Sequence, residues 1–338
     1  MSPTSYRTAP PRDKVGALLN EHTTQKTALA YSVGLVSGLV AIFANDIVPV
    51  FLIAGAGYLA ARFARLEVST LTRTAFFVLL PCLIFNLIIT SSITGGDVGR
   101  LVAAAILVIA TMGVIAFTLA KVLRLSSTER AAFLLVVMFS NGGNFGLPLV
   151  SFAFGPIALA HAGVFFLTGA VLTFVLGSYI AAAGRRSPAQ ALAGVLKMPI
   201  IYAAGLALLI KASSLTLPLM IARPVSLVSG AALPTMILIL GMQLERAKMP
   251  KRIGPLAIAI ATSLLVAPFV ALALCRWLGL DGPARQAAVT LSAMPVAVST
   301  TILALEFDVE PDFVTGAVFV STILSPFTLA PLIAYLSH

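Results

Sequence analysis

The stretch Ser140–Pro148, which reads SNGGNFGLP, interrupts a segment that is otherwise apolar enough to cross a membrane. Three glycines and a proline disfavour a continuous helix here, because Gly costs about 1 kcal/mol and Pro about 3 kcal/mol relative to Ala in a helix interior. A break inside a bilayer leaves backbone N–H and C=O groups without water, so it persists only where it packs in protein or lines a cavity. The stretch therefore predicts a broken membrane helix, which is the sequence feature that best indicates the binding site of a transporter.

The composition is that of a helical membrane protein. Of the 338 residues, 59% are hydrophobic and 10% are charged, with a mean hydropathy of +1.04, whereas a soluble domain is about 25% charged. The net charge of +10 comes from basic residues in short runs between apolar segments, a distribution that orients a protein in a membrane. We therefore expect the lipid bilayer as a partner, and no nucleic acid.

The sequence holds no pattern typical of catalysis or of metal binding. Cys82 and Cys275 lie in apolar segments and are interpreted as packing residues, the three histidines are scattered, and no HExxH, Walker A or GxSxG pattern occurs. The acidic residues fall at the ends of apolar segments, in loops or in the N-terminal tail, and none is predicted at the middle of the membrane. We expect a protein that is not an enzyme, has no cofactor and no metal, and does not carry cations through a buried carboxylate.

Ten apolar segments are long enough to serve as transmembrane helices, because about 20 apolar residues cross the hydrocarbon core of a bilayer. The fold predicted is an all-α polytopic membrane protein with core helices at 43–63, 74–93, 101–120, 131–154, 163–183, 199–216, 225–244, 254–275, 284–305 and 313–336. The corresponding division is an N-terminal extension at 1–42, a first five-helix repeat at 43–183, a cytoplasmic linker at 184–198 and a second five-helix repeat at 199–338.

The N-terminal extension has several interpretations. Residues 1–27 are polar and are predicted to be disordered, whereas residues 28–61 are apolar apart from an interruption at Asn45-Asp46. A single helix over 28–61 would be about 50 Å long, which is too long for one span. An extra N-terminal helix, an interfacial segment and an upstream extension that is not translated all fit this pattern.

Prolines recur at similar spacing in the two halves of the chain. Pro81 and Pro148 are 67 residues apart in the second and fourth predicted helices, and Pro234 and Pro295 are 61 residues apart in the seventh and ninth. Because five helices are an odd number, the second half enters the membrane in the opposite orientation, as in an inverted repeat. Thirteen Lys and Arg on one side against five on the other place the loop after the first core helix in the cytoplasm.

The ninth predicted helix carries a second stretch with proline, small residues and hydroxyls, SAMPVAVSTT at 292–301. If both stretches break and cross, the N-termini of two half-helices converge on one point. Each N-terminus presents unpaired N–H groups and about half a positive charge. The pair would bind a carboxylate or another anion without a buried arginine.

Short motifs in six predicted helices carry a family resemblance. They are Val48–Phe51 with Gly55, Gly57 and Tyr58; Leu80, Pro81 and Phe85; Asn141–Pro148; Leu233, Pro234 and Gly241–Leu244; Ala293–Pro295 with Glu306; and Ser321, Thr322, Ser325, Thr328 and Pro331. Together they resemble the auxin efflux carrier family, in its bacterial branch, over about residues 43–336. The resemblance implies two inverted five-helix repeats, in which the fourth and ninth helices break at proline and cross, and an elevator-like movement of a transport domain against a scaffold.

The candidate site residues follow from the two interrupted stretches and from the resemblance. Substrate binding is predicted for Asn86, Asn141, Asn144, Pro148, Pro295, Ser299 and Thr300. The two prolines mark the predicted crossover, and Asn144 is predicted to donate its amide to a carboxylate. Gly142, Gly143 and Gly146 are predicted to permit close approach of the backbone. Gln243 and Glu245 are interpreted as a solvated helix end, and a gate or a proton role is the alternative.

The predicted function is secondary transport of small organic anions, such as malate, malonate or auxin-like carboxylates, across the cell inner (plasma) membrane. Export is favoured, because expelling an anion from a negative interior is electrically downhill. The alternatives are a sodium-coupled organic anion symporter of the bile acid symporter type and a membrane ligand sensor. Substrate identity, coupling ion and the formation of a homodimer stay open.

Overall fold

The helices of the protein are defined in a computed structural model that describes residues 37–64, 66–91, 93, 95–182, 196–213, 215–245 and 253–337. Most of the predicted N-terminal extension and most of the predicted linker at 184–198 lie outside the described residues. The helices are α1 Ser37–Ala64, α2 Val68–Thr90, α3 Gly95–Val122, α4 Ser127–Met138, α5 Gly142–Ala181, α6 Pro199–Ala212, α7 Leu219–Glu245, α8 Ile253–Trp277, α9 Gly282–Ser292, α10 Val298–Phe307 and α11 Pro311–Leu336.

The prediction of an all-helical membrane protein is confirmed. Seven of these helices, namely α1, α2, α3, α5, α7, α8 and α11, are long and apolar enough to cross a membrane. The helices α6 and α10 are apolar but shorter. The predicted spans 131–154 and 284–305 are each divided by a break, as expected for the fourth and ninth core helices, so α4 and α9 end inside these spans.

Helix α5 turns sharply at Gly155. Its 40 residues would extend about 60 Å, roughly twice the thickness of the hydrocarbon core. Gly155 has φ 75° and ψ −168°, a conformation that only glycine adopts readily, and Pro156 follows it without an N–H group. The kink separates the segments 142–154 and 156–181, which agrees with the predicted boundary between the fourth and fifth core helices.

Helices α1, α2, α6 and α7 form one packed group. Helix α1 lies along α7, and α2 lies between α6 and α7. The backbones of α1 and α7 touch, since a Cβ added to Gly57 would lie 2.1 Å from the Leu238 carbonyl oxygen and one added to Gly241 would lie 1.7 Å from that of Ala54. Glycine at both positions is what permits this approach.

The remaining helices surround the two breaks. Helix α5 packs against α9 and α3, α8 packs against α9 and α3, and α11 packs against α10 and α4. Large apolar side chains near the first break, among them Phe133, Phe139 and Phe145, are fully buried. The backbone around the breaks is therefore enclosed by protein.

Large apolar side chains also cover much of the outside of the molecule. Leu52, Phe63, Phe269 and Phe327 are 68–79% exposed. Exposed apolar surface of this extent on long apolar helices is typical of contact with lipid.

Candidate functional site

Two breaks in the helices meet each other at the centre of the candidate site. The first break covers residues 139–141 between α4 and α5, and the second covers 293–297 between α9 and α10. Ser140 and Val296 form an isolated antiparallel bridge. Asn141 N–H donates to the Pro295 carbonyl (2.7 Å), and Ala297 N–H donates to the Phe139 carbonyl (2.9 Å). Each break thus supplies hydrogen-bond partners that the other lacks, as an apolar environment requires. We call residues 139–144 and 293–299 the crossover.

Side chains outside the bridge hold the crossover in place. The Ser140 hydroxyl donates to the Leu291 carbonyl in the last turn of α9 (2.7 Å). The Val296 N–H donates to the Ser321 hydroxyl of α11 (3.1 Å), and Ser321 is fully buried. Short polar residues therefore satisfy the backbone of the breaks from both sides.

The break near Pro148 lies at a different position from the one predicted. The helix is interrupted at 139–141, whereas Pro148 is buried inside the second part of the span. Residues Gly142–Gly146 form a π-helical turn, in which the Leu147 N–H donates to the Gly142 carbonyl. Pro148 follows this turn at the start of the α-helical part, where a proline is tolerated, so it does not interrupt the helix. Pro295, in contrast, lies within the second break, and its carbonyl accepts the hydrogen bond from Asn141.

A cavity of about 390 Å³ extends from the crossover. Its volume falls in the range of small-molecule sites, and most of its wall is apolar, with Phe76, Phe166 and Phe174 among the lining residues. Of the predicted residues, Asn141, Asn144, Ser299, Gly142 and Gly143 line it. The structure thus brings five of the predicted residues together in one cavity.

The other predicted residues lie outside the cavity wall in this conformation. Asn86 is half-buried on α2. Thr300 is fully buried and its hydroxyl donates to the Ala297 carbonyl (2.6 Å), so it closes the first turn of α10. Gly146 packs against Leu291 and Met294. Pro148 and Pro295 shape the backbone, as described above.

Two asparagine amides at the crossover are incompletely hydrogen-bonded. Asn141 and Asn144 are 5% and 4% exposed. The Asn144 Nδ2 donates to Gln243 Oε1 of α7 (3.2 Å), whereas Asn144 Oδ1 and Asn141 Nδ2 are buried without a partner. A buried polar group without a partner costs about 1–3 kcal/mol, so these atoms favour a ligand that supplies the missing hydrogen bonds.

The electrostatics of the cavity favour an anion. The N-termini of α5 and α10 begin at Gly142 and Val298 in the cavity wall, and the N-terminal end of a helix carries partial positive charge. The Gly142 N–H itself donates to the Ser140 carbonyl (2.8 Å). Arg73, in the second turn of α2, and Lys197, two residues before α6, also line the cavity. Among the described residues, the cavity lining contains no Asp or Glu. Positive charge and partial positive charge therefore face the cavity without an acidic counterpart.

Gln243 lies in a different environment from the solvated helix end that the sequence favoured. It is half-buried in the cavity wall and hydrogen-bonded to Asn144, rather than solvated at a helix end. Glu245 does fit the earlier interpretation, because it forms an exposed pair with Arg62 (3.4 Å). The available signal was that Gln243 follows a wholly apolar run, 236–242, in a membrane helix.

Comparisons with known proteins show the family to which the chain belongs. A family described as membrane transport protein matches residues 42–182 and 185–333, and the chain belongs to this family, that of the auxin efflux carriers. An uncharacterized transporter of Methanothermobacter thermautotrophicus is 27% identical over 262 residues, covering 77% of this chain and 86% of that protein. An uncharacterized transporter of Methanocaldococcus jannaschii is 22% identical over 285 residues, covering 81% and 92%. Both relatives are archaeal, and placement in the bacterial branch stays a prediction.

Proposed function

We propose that the protein is a secondary active transporter of small organic anions. The observation that carries the proposal is the pair of buried asparagine amides with unpaired atoms, set between two helix N-termini in a cavity without acidic lining. A carboxylate would accept hydrogen bonds from Asn141 Nδ2 and from the helix N-termini, which bind anions readily. Membership of a transporter family supports the same conclusion.

The apolar wall of the cavity bears on the class of anion. Aromatic and aliphatic side chains make up most of the lining, and the polar groups are gathered at the crossover. A carboxylate with an apolar body would bury that body against the phenylalanines. We therefore expect auxin-like carboxylates to bind more tightly than malate or malonate.

Two inverted five-helix repeats are the architecture that we propose. In such a repeat the first helix corresponds to the sixth and the second to the seventh, so the contact of α1 with α7 mirrors that of α6 with α2. The two breaks likewise correspond and pair with each other. Both packing relations support the inverted repeat that the proline spacing predicted.

Elevator-type alternating access is the mechanism that we propose, with α1, α2, α6 and α7 as the scaffold and the crossover in the moving domain. The cavity reaches Arg73 and Lys197, which the loop charges place on the cytoplasmic side. Asn144 contacts Gln243, two residues before the cytoplasmic end of α7. Both observations support an inward-facing state, from which the moving domain would travel outward across the inner (plasma) membrane.

The proposal is tested by transport in proteoliposomes. We would measure uptake of labelled indole-3-acetate, malate and malonate, with and without sodium, for the wild type, Asn144→Ala and Gln286→Leu. Gln286 is a matched control, since its side chain donates to the Leu336 carbonyl (2.9 Å) outside the cavity. Saturable uptake that is lost in Asn144→Ala and kept in Gln286→Leu is expected.

Two results of this assay would change the proposal. Uptake that requires sodium would favour the symporter of the bile acid type, for which the unpaired Asn144 Oδ1 offers an oxygen ligand. Absence of saturable uptake for all three anions would contradict anion transport and favour the ligand sensor.

A further inference from the structure

The Asn144–Gln243 hydrogen bond links the crossover to the scaffold. Asn144 belongs to the π-helical turn after the first break, and Gln243 belongs to α7, 99 positions later in the chain. Both side chains line the cavity, so a ligand at the crossover would reach the same pair of amides. The bond therefore lies in the proposed binding cavity and also joins the proposed moving domain to the scaffold.

Helix α7 offers Asn144 no second polar partner along the run that precedes Gln243. Residues 236–242 read MILILGM and extend over about 10 Å of helix. The Met236 side chain lies on the face toward the crossover, since its Cε would be 3.4 Å from a Cβ added to Gly143. Met236, Leu240 and Gln243 follow the helical spacing of one face. An outward movement of the crossover would carry the Asn144 amide from Gln243 onto this apolar face.

We propose that Gln243 is a positioning residue that holds the empty site in the inward-facing state, and that the bound anion replaces it as the partner of Asn144. The inference rests on the proposed anion transport by an elevator movement. An empty crossover that leaves Gln243 buries the Asn144 amide without any partner, which is unfavourable in an apolar environment. A loaded crossover keeps the amide bonded, because the anion moves with it.

Under this arrangement, the change between the inward-facing and outward-facing states is faster with the anion bound (the loaded transition) than without it (the empty transition). The wild type should therefore exchange anions across the membrane faster than it performs net transport, since only net transport needs the empty transition. Removing the acceptor at position 243 destabilises the empty inward-facing state. By the usual net worth of one hydrogen bond, we expect the empty transition to become about 3- to 10-fold faster.

The first experiment follows the empty protein and needs no substrate. Ser299→Cys in the cavity wall, with Cys82 and Cys275 replaced by Ser, is labelled by a membrane-impermeant thiol reagent added from the outer side. The labelling rate reports the fraction of molecules that face outward. We expect Gln243→Leu to raise the rate about 3- to 10-fold, and Gln243→Glu, which keeps an acceptor for Asn144, to leave it near the value of the Gln243 protein. Gln286→Leu controls for the loss of a glutamine elsewhere. Equal rates in Gln243→Leu and Gln286→Leu would overturn the inference.

The second experiment compares exchange with net uptake, without the reporter cysteine. We expect Gln243→Leu to lower the ratio of exchange to net uptake, and Gln243→Glu to raise the KM at an unchanged ratio, because its carboxylate repels the anion. A ratio that is unchanged in Gln243→Leu would overturn the inference even where anions are transported normally. If none of the three anions is transported while Gln243→Leu still raises the labelling rate, the proposed function fails and the role of Gln243 in holding the empty state is supported.

Discussion

The contact between α1 and α7 and the crossover are two places where backbones meet, and they are built in opposite ways. At the first, Gly57 and Gly241 each face a carbonyl of the other helix at a distance that leaves no room for a side chain. At the second, backbone hydrogen bonds such as that from Asn141 to Pro295 join the breaks, and two amide atoms stay unpaired. One contact is closed by shape, whereas the other leaves hydrogen-bonding capacity unused.

The two contacts are suited to different roles in this fold. A contact closed by backbone atoms has no alternative arrangement, so it suits a scaffold. Unpaired buried polar atoms lower stability and are kept where a ligand completes them. We therefore expect substitutions at the α1–α7 contact to affect folding, and substitutions at the crossover amides to affect binding.

The largest effect on stability is expected for Gly241→Ala. The added Cβ would lie 1.7 Å from the Ala54 carbonyl oxygen, and since that oxygen belongs to the backbone of α1, the helices themselves must separate. We expect the free energy of unfolding to fall by more than about 3 kcal/mol, which is at or beyond the upper end of the cost of overpacking a core. The measurement is the midpoint of thermal unfolding in detergent, followed by size-exclusion chromatography.

The control for Gly241→Ala is Gly230→Ala in the same helix. A Cβ at Gly230 meets no atom within 4 Å, and alanine favours a helix over glycine by about 1 kcal/mol. Gly230→Ala should therefore leave the midpoint unchanged or raise it. An equal midpoint for both variants would contradict the close contact between α1 and α7.

Asn141→Leu is expected to separate binding from stability. Its Nδ2 is buried without a partner, so leucine removes an unsatisfied group and the unfolding midpoint should stay the same or rise. The anion loses a hydrogen bond from a buried donor, for which we expect KM to rise about 10-fold or more. Proteoliposome uptake and thermal unfolding of the same preparation test both parts. A fall in the midpoint at unchanged KM would show that Asn141 supports the fold instead.

Gly143→Ala adds a methyl group at the crossover and so tests its packing. Its effect on stability should be smaller than that of Gly241→Ala. Its Cβ would lie 3.0 Å from Cε2 of Phe166, which is the end of a side chain and not backbone. Phe166 lines the cavity and is displaced at a cost of about 1 kcal/mol, well below the effect at Gly241. We expect a small fall in the unfolding midpoint and a clear change in KM for anions with a bulky apolar body. Equal KM changes for malonate and indole-3-acetate would argue against contact of Phe166 with the substrate.

The sequence predicted the two interrupted stretches and the polar residues in them, because glycine, asparagine and proline disfavour a continuous helix wherever they occur in an apolar segment. This effect depends on neighbouring residues only, so it can be read from the sequence. It misplaced the first break, since whether Pro148 interrupts a helix depends on the π-helical turn before it. It did not predict the hydrogen bond between Asn144 and Gln243, because the two residues are 99 positions apart and no local pattern shows that pairing. Gly57 and Gly241 were recognised as family motifs, yet only the packing of α1 against α7 explains them.

The smallest effect is expected at the mouth of the cavity, for Arg73→Gln and Lys197→Gln. Both side chains are exposed, so they attract an anion through solvent and make no buried contact that must be broken. We expect KM to rise about 2- to 3-fold for each variant at low ionic strength and to match the wild type at 1 M salt, where the screening length falls to about 3 Å. Anion uptake into inside-out vesicles over a series of salt concentrations measures this, and Lys121→Gln, at the end of α3 outside the cavity lining, is the control of equal charge. A rise in KM that persists at high salt would instead mean that Arg73 or Lys197 contacts the bound anion directly. In that case the residues that bind the anion would extend from the crossover to the mouth of the cavity.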